Sequence, residues 1–134
     1  YNLHAHKDSS FNTPPLFPIY CVLLNLRMIK NDGLDNIASN NDIKSKLIYE
    51  EIDNNKCFSG FSHVDDRSQM NATFNLNDGF NGELFNEICK ENNISGINGH
   101  RSVGGYRASI YNALPIDSVK LLIKCMKEFE SNYN

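Results

Sequence analysis

Three side chains able to hold an anion, His100, Arg101 and Arg107, fall within eight consecutive residues, with Gly99 just before them and Gly104 and Gly105 among them. A guanidinium presents a planar fork of N–H donors that matches a carboxylate or a phosphate through two parallel hydrogen bonds. Glycine lets the backbone approach a ligand closely and adopt positive φ. Arg107 is the sharper candidate, because strand alternation sets it opposite the packing residues Tyr106, Ala108 and Ile110. The same residues also fit a purely structural reading, with the arginines in surface ion pairs and His100 capping a turn.

A second candidate is Asn12-Thr13, just ahead of Pro14 and Pro15. An N-cap type residue followed by proline signals a helix start, and a helix N-terminus suits a phosphate. Simple N-capping by Thr13 is the competing reading. Other polar residues add less. His4 and His6 have no third ligand nearby, so no metal site is expected. His63, Asp65, Asp66 and Arg67 read as an ion-paired polar loop, and Glu50 and Glu51 as part of a solvated helix face. No spacing supports a Ser/His/Asp or Cys/His constellation. Cys21, Cys57, Cys89 and Cys125 are far apart, which argues against zinc or a disulfide framework and fits a reducing compartment. Three of them lie in apolar stretches and read as buried free thiols.

These residues need elements to position them. Residues 1–12 read as an extended arm or loop. A helix from Pro14 to about Lys30 is apolar on most sides, which predicts burial between layers or domains, and Pro18 threatens a kink. A second helix over residues 34–54 has Leu34, Ile37, Ala38, Leu47, Ile48 and Ile52 inside and a solvated polar centre at residues 39–42. Residues 58–61 are short and broken by glycine. Residues 70–76 alternate as a half-buried strand, 84–89 mark a short helix, 94–97 a possible strand and 106–111 another strand. Pro115 opens a last helix facing inward with Ile116, Val119, Leu122, Ile123, Met126 and Phe129. This order predicts an α+β layer, an antiparallel sheet covered on one face by helices.

Composition sets the outer limits. With 134 residues, 40% hydrophobic and 22% charged, the chain suits one ordinary globular domain. A net charge of −3 without basic runs predicts neither nucleic acid nor a membrane surface as partner. The longest apolar run, residues 17–28, is broken by Asn25 and Arg27 and too short to span a bilayer. No leader pattern opens the chain, and the expected compartment is the cytoplasm.

Four blocks considered together carry a resemblance. DSSFNTPPLFPIY (residues 8–20), DDRSQMNATFNL (65–76), GHRSVGGYRASIYNALP (99–115) and KCMKEFE (124–130) resemble the phosphoserine aminotransferase family, in its order and near its spacing. Leu16, Pro18 and Gln69 depart from the family's usual Thr, Ala and Arg, and Tyr106 fills a variable position.

The resemblance implies the small C-terminal domain of a fold-type I aminotransferase dependent on pyridoxal 5'-phosphate (PLP), preceded by an arm and an interdomain helix. Residues 1–32 would end the PLP-binding large domain and residues 33–134 would form the small domain. The implied enzyme is a cytoplasmic homodimer of serine biosynthesis, moving an amino group between glutamate and 3-phosphohydroxypyruvate to give phosphoserine. Asn12 and Thr13 would reach the PLP phosphate of the other subunit. Arg107 would bind the substrate α-carboxylate, and His100 and Arg101 the substrate phosphate or distal carboxylate. No lysine here lies in the family's Schiff-base context, so the catalytic lysine is expected upstream and this chain alone is expected to be inactive. A catalytically silent binding or dimerising module, and another PLP aminotransferase of the same fold, are the alternatives.

Overall fold

A computed structural model describes residues 1–133. Two compact units emerge, Tyr1–Ile37 and Ala38–Asn134, with the boundary inside one helix.

In the first unit, residues 2–5 form a single helical turn, α1 (Asn2–Ala5), where an extended arm or loop was expected. The following helix, α2, spans Leu16–Asp32 with Pro15 at its N-cap and no capping side chain. This corrects the expected start at Pro14 and the Thr13 cap. A residue before proline is pushed out of helical geometry, so Pro14, which precedes Pro15, cannot open the helix, and the start moves beyond the reach of a Thr13 cap. Pro18 thereby becomes the third helical residue, where a backbone N–H has no intrahelical acceptor in any case. Gly33 closes α2 at φ +82. No residue of α2 is buried, and Phe17 is 77% exposed. The burial expected of so apolar a helix is therefore not provided by the described residues.

The helix α3 (Leu34–Asn54) has the expected bounds but a different inner face: Asn41, Lys44, Ser45, Ile48, Glu51 and Ile52. The stripe through Ile48 and Ile52 continues backward at helical spacing into Lys44 and Asn41. Leu34, by contrast, is 73% exposed. Asn41 of the polar centre and Glu51 are thus buried, against expectation: the Asn41 amide nitrogen donates to the Asn112 side-chain oxygen at 2.8 Å, although its own oxygen has no partner among the described residues, and Glu51 is held from two sides. Glu51 accepts from the Asn55 side chain at 2.9 Å and lies 3.6 Å from the Lys127 ammonium.

Three strands, β1 (Phe58–Gly60), β2 (Asn71–Leu76) and β3 (Tyr106–Ser109), form one antiparallel sheet in the order β1-β2-β3. Residues 94–97 do not form the suggested strand, since Gly96 turns the chain at φ +70 and only Asn98 bridges to Tyr106. Helices α4 (Gly82–Glu91) and α5 (Ile116–Ser131) join α3 over one sheet face. Ala72, Phe74, Tyr106 and Ala108 point into that core, meeting Ile48, Phe85, Val119, Met126 and Phe129. Phe85 anchors it with edge contacts to Phe58, Tyr106 and Phe129 at 4.9, 5.1 and 5.4 Å. Cys57, Cys89 and Cys125 are buried free thiols, and burial pushes the Cys89 thiol up to about 12, whereas Cys21, in the apolar run of α2, is a free thiol only half-buried, against expectation, because no residue of α2 is buried. The α+β reading of the sequence thus holds. Among the described residues, no helix is long and apolar enough to cross a membrane.

The polar loop of residues 63–67 is tied down from α3. Arg67 donates from both terminal nitrogens to Asp53 at 2.6 and 2.7 Å and lies over the Tyr49 ring at 4.7 Å. The Arg67 hydrogen bond holds the Asp53 carboxyl below its ordinary value. A depressed folded-state carboxyl contributes stability above its unfolded pKa, roughly 3.9, and loses it as pH falls through the folded value. Asp53→Asn should therefore cost about 1 kcal/mol at pH 7, kept modest by the exposure of Asp53, and nothing once pH drops below both values. Urea midpoints of the two proteins at pH 7 and about pH 3 check this, and a difference that persists undiminished in acid would refute it.

Candidate functional site

The helices cover only one face of the sheet. On the other, alternation presents Asn71, Thr73 and Asn75 from β2 and Arg107 and Ser109 from β3. Register sets Arg107 opposite Thr73 and Ser109 opposite Asn71. The Asn71 side-chain oxygen accepts from the Ser109 hydroxyl at 3.2 Å and the Tyr111 hydroxyl at 3.3 Å. Thr73 pairs with Ser62 at 3.3 Å. The result is a row of neutral hydroxyl and amide groups flanking one cation.

Arg107 is exposed, and its guanidinium has no hydrogen-bond or ion-pair partner among the described residues. Its backbone is well held: the Arg107 N–H donates to the Ile97 carbonyl at 2.7 Å and the strand pairs with β2. A fixed backbone carrying an unpaired guanidinium on a polar face is an anion-binding arrangement.

His100 and Arg101 sit at the tip of a tight hairpin that leads into β3. Gly99 N–H donates to the Gly105 carbonyl at 2.8 Å, and Val103 and Gly104 N–H both donate to the His100 carbonyl at 2.9 and 2.8 Å. Gly104 and Gly105 have φ +79 and +64, and a Cβ at Gly99 would overlap the Gly104 carbonyl. Glycine is therefore required by sterics as well as conformation. His100 Nδ1 accepts from the Ser102 N–H at 3.2 Å and pairs with its hydroxyl at 2.7 Å. With Nδ1 accepting, the ring proton sits on Nε2, a donor left for a ligand. His100 thus caps its turn, while among the described residues neither Arg101 nor Arg107 makes the surface ion pair that a structural reading required.

Asn12 and Thr13 are exposed in the irregular segment before α2, and their side chains have no hydrogen-bond partner among the described residues. The structure thus brings His100, Arg101 and Arg107 into one hairpin and strand of the second unit, while Asn12 and Thr13 lie in the first.

Sequence reasoning did not single out Asn71, Ser109 and Tyr111, or Lys44. The first three were legible as the polar half of two alternating strands. Lys44 was legible as the residue one helical turn before Ile48. It is 2% exposed and donates to the carbonyls of Ile110, Tyr111 and Leu114 at 3.1, 2.7 and 3.2 Å. Burial pushes its ammonium below the ordinary lysine value.

The "Aminotransferase class-V" family profile matches residues 2–122. The phosphoserine aminotransferase of Flavobacterium psychrophilum is 51% identical over 132 residues, covering 98% of this chain and 37% of that protein. The structure resembles phosphoserine aminotransferase from Bacillus circulans subsp. alkalophilus, with a TM-score of 0.87 and 39% identity, over 100% of this chain and 38% of that one. It also resembles PLP-bound phosphoserine aminotransferase from Trichomonas vaginalis, with a TM-score of 0.84 and 35% identity, over 95% of this chain and 37% of that one. The chain spans little more than a third of the length of these relatives.

Proposed function

The chain belongs to the class-V aminotransferase family, and from that premise we propose that it is the C-terminal part of a phosphoserine aminotransferase. In this reading the whole protein moves an amino group between glutamate and 3-phosphohydroxypyruvate, works as a cytoplasmic homodimer and uses pyridoxal phosphate. The observation that carries it is the unpaired Arg107 guanidinium on a well-held strand, beside a glycine-built hairpin bearing His100 and Arg101.

Roles follow from the chemistry of each group. Arg107 binds the α-carboxylate that donor and acceptor share, because a guanidinium fork fits a carboxylate. His100 Nε2–H and Arg101 bind the substrate's distal phosphate or carboxylate. The Asn71, Ser109 and Tyr111 row holds the wall beside Arg107. Asn12 and Thr13 suit the cofactor phosphate: both offer uncharged donors with no protein partner, on a chain segment leading to a helix start. They are assigned to the cofactor of the partner subunit. Pyridoxal phosphate, when bound, supplies the electron sink that amino-group exchange requires.

The resemblance to the family places the lysine that this cofactor needs upstream, since no lysine here lies in the family's Schiff-base context, and the nitrogen of buried Lys44 is engaged by three carbonyls. In this reading the chemical step depends on that upstream lysine. Residues 1–32 are assigned to the end of the large domain and 33–134 to the small domain.

The isolated 134-residue chain should show no transamination with glutamate and 3-phosphohydroxypyruvate, whereas the same chain joined to the family's upstream portion should turn over. Full activity from the isolated chain, confirmed as one species by mass, would sink the proposal.

A further inference from the structure

The turn that ends β3 is held from beneath by α3. Lys44 donates to the Ile110 carbonyl at 3.1 Å, the Tyr111 carbonyl at 2.7 Å and the Leu114 carbonyl at 3.2 Å. One turn earlier in α3, the Asn41 side chain donates to the Asn112 side-chain oxygen at 2.8 Å. Asn41 and Lys44 are 4% and 2% exposed. An ammonium has three protons to donate, and here all three have an acceptor. No carboxylate pairs with it among the described residues, since every partner of its nitrogen is a backbone carbonyl.

Burying such a cation is costly, and an apolar residue would fill the same stripe of α3 more cheaply. What lysine alone provides is one rigid point gathering three carbonyls of an irregular turn. The other face of that turn is the polar row. Tyr111, whose carbonyl makes the shortest of the three bonds, sends its hydroxyl to Asn71, which also accepts from Ser109. Ile110 N–H continues the ladder to the Met70 carbonyl, three residues beyond Arg107. The clamp therefore fixes the C-terminal end of the strand that carries Arg107 and the backbone of Tyr111, whose hydroxyl reaches Asn71 on the same sheet.

We propose that Lys44 is a positioning residue for substrate-carboxylate binding: by gathering the carbonyls of Ile110, Tyr111 and Leu114 it sets the place of Arg107 and Tyr111 on the open face of the sheet. This rests on the reading of Arg107 as the carboxylate ligand. Lys44 touches no substrate; it acts through the turn.

The test uses the full-length protein carrying this chain, loaded with pyridoxal phosphate and assayed with glutamate and 3-phosphohydroxypyruvate. Lys44→Met keeps the length of the stem and removes the donors. It should raise KM for both substrates about tenfold, within the hundredfold that an ångström of misplacement costs, with a smaller change in kcat. Lys44→Arg, which keeps a cation with several donors, should recover most of the loss. Ile88→Val loosens the core at α4 without reaching this turn, and should lower stability yet leave KM unchanged. If Lys44→Met does not fold, Lys44→Gln replaces it, because its amide keeps two N–H donors on a shorter stem and so loses part of the clamp; it should raise KM about threefold, the loss of a single hydrogen bond. A folded Lys44→Met, or failing that Lys44→Gln, with unchanged KM overturns the proposal, as does a KM rise equalled by Ile88→Val. Arg107→Lys, measured alongside, separates the two readings: if it leaves KM unchanged, the carboxylate role of Arg107 fails, and the clamp loses its purpose with it.

Discussion

Replacing Arg107 with alanine in the full-length protein is expected to lower kcat/KM about a thousandfold for glutamate and for 3-phosphohydroxypyruvate alike. Two charge-assisted hydrogen bonds to a carboxylate contribute roughly 2 kcal/mol each, or about 4 kcal/mol together, which is about three decades in rate. Both substrates carry an α-carboxylate, so neither escapes. Arg101→Ala should behave differently. Its guanidinium sits at an exposed hairpin tip, where water competes, so one lost contact is expected to cost roughly ten- to thirtyfold. That loss should fall mainly on the phosphorylated substrate, whose distal group carries more charge than a γ-carboxylate. Steady-state kinetics of both variants with both substrates check the assignment. Equal losses for the two substrates from each change would contradict it.

How much of this was legible in the sequence depends on which force set each feature. Period-two alternation in β2 and β3, with Ala72, Phe74, Tyr106 and Ala108 inward, is a local consequence of apolar burial and reads directly. So does the inward stripe of α5. The face of α3 was misjudged because polarity was equated with exposure. Lys44 and Asn41 occupy core positions by helical spacing, but their acceptors lie on a turn about seventy residues away, and no local pattern announces a partner so distant. Residues 94–97 failed as a strand because Gly96 takes positive φ, a backbone cost that a run of apolar residues does not reveal. The delayed start of α2 is written in Pro14-Pro15, because the restriction on a residue preceding proline keeps Pro14 out of the helix whatever Thr13 could cap.

The candidate site shows the same division. Arg107 was readable from strand parity alone, whereas whether it stood free or ion-paired was a three-dimensional question. Among the described residues it has no partner, which leaves its fork available to the carboxylate proposed for it, whereas the half-buried Arg67 is engaged by Asp53. His100 answers to both readings at once: one ring nitrogen caps the turn, and that commitment leaves the other as a donor.

The hairpin's glycines offer the largest structural effect. Gly105→Ala should destabilise the protein by about 3 kcal/mol, from two separable causes. At φ +64 any side chain meets the following carbonyl, a strain of roughly 1–2 kcal/mol. The added methyl would also overlap the Asn75 side-chain oxygen and lie 2.9 Å from the Phe74 carbonyl oxygen. Asn75 can swing away, but Phe74 belongs to β2 and its backbone cannot, so β3 must shift outward, at a further 1–2 kcal/mol typical of overpacking. Gly79 serves as the control. It sits at φ +91, with nothing within 4 Å of the place a methyl would take, so Gly79→Ala should show the conformational cost alone, roughly 1–2 kcal/mol. Urea denaturation of the two variants beside the parent separates strain from collision. Activity separates them further. Gly105 is two residues from Arg107 and its carbonyl closes the loop bearing His100 and Arg101, so its displacement should weaken substrate binding even where the protein remains folded, while Gly79→Ala leaves KM as it was. Equal stability losses in the two variants would show that the methyl is accommodated and that the close approach of residue 105 to β2 does not set the site.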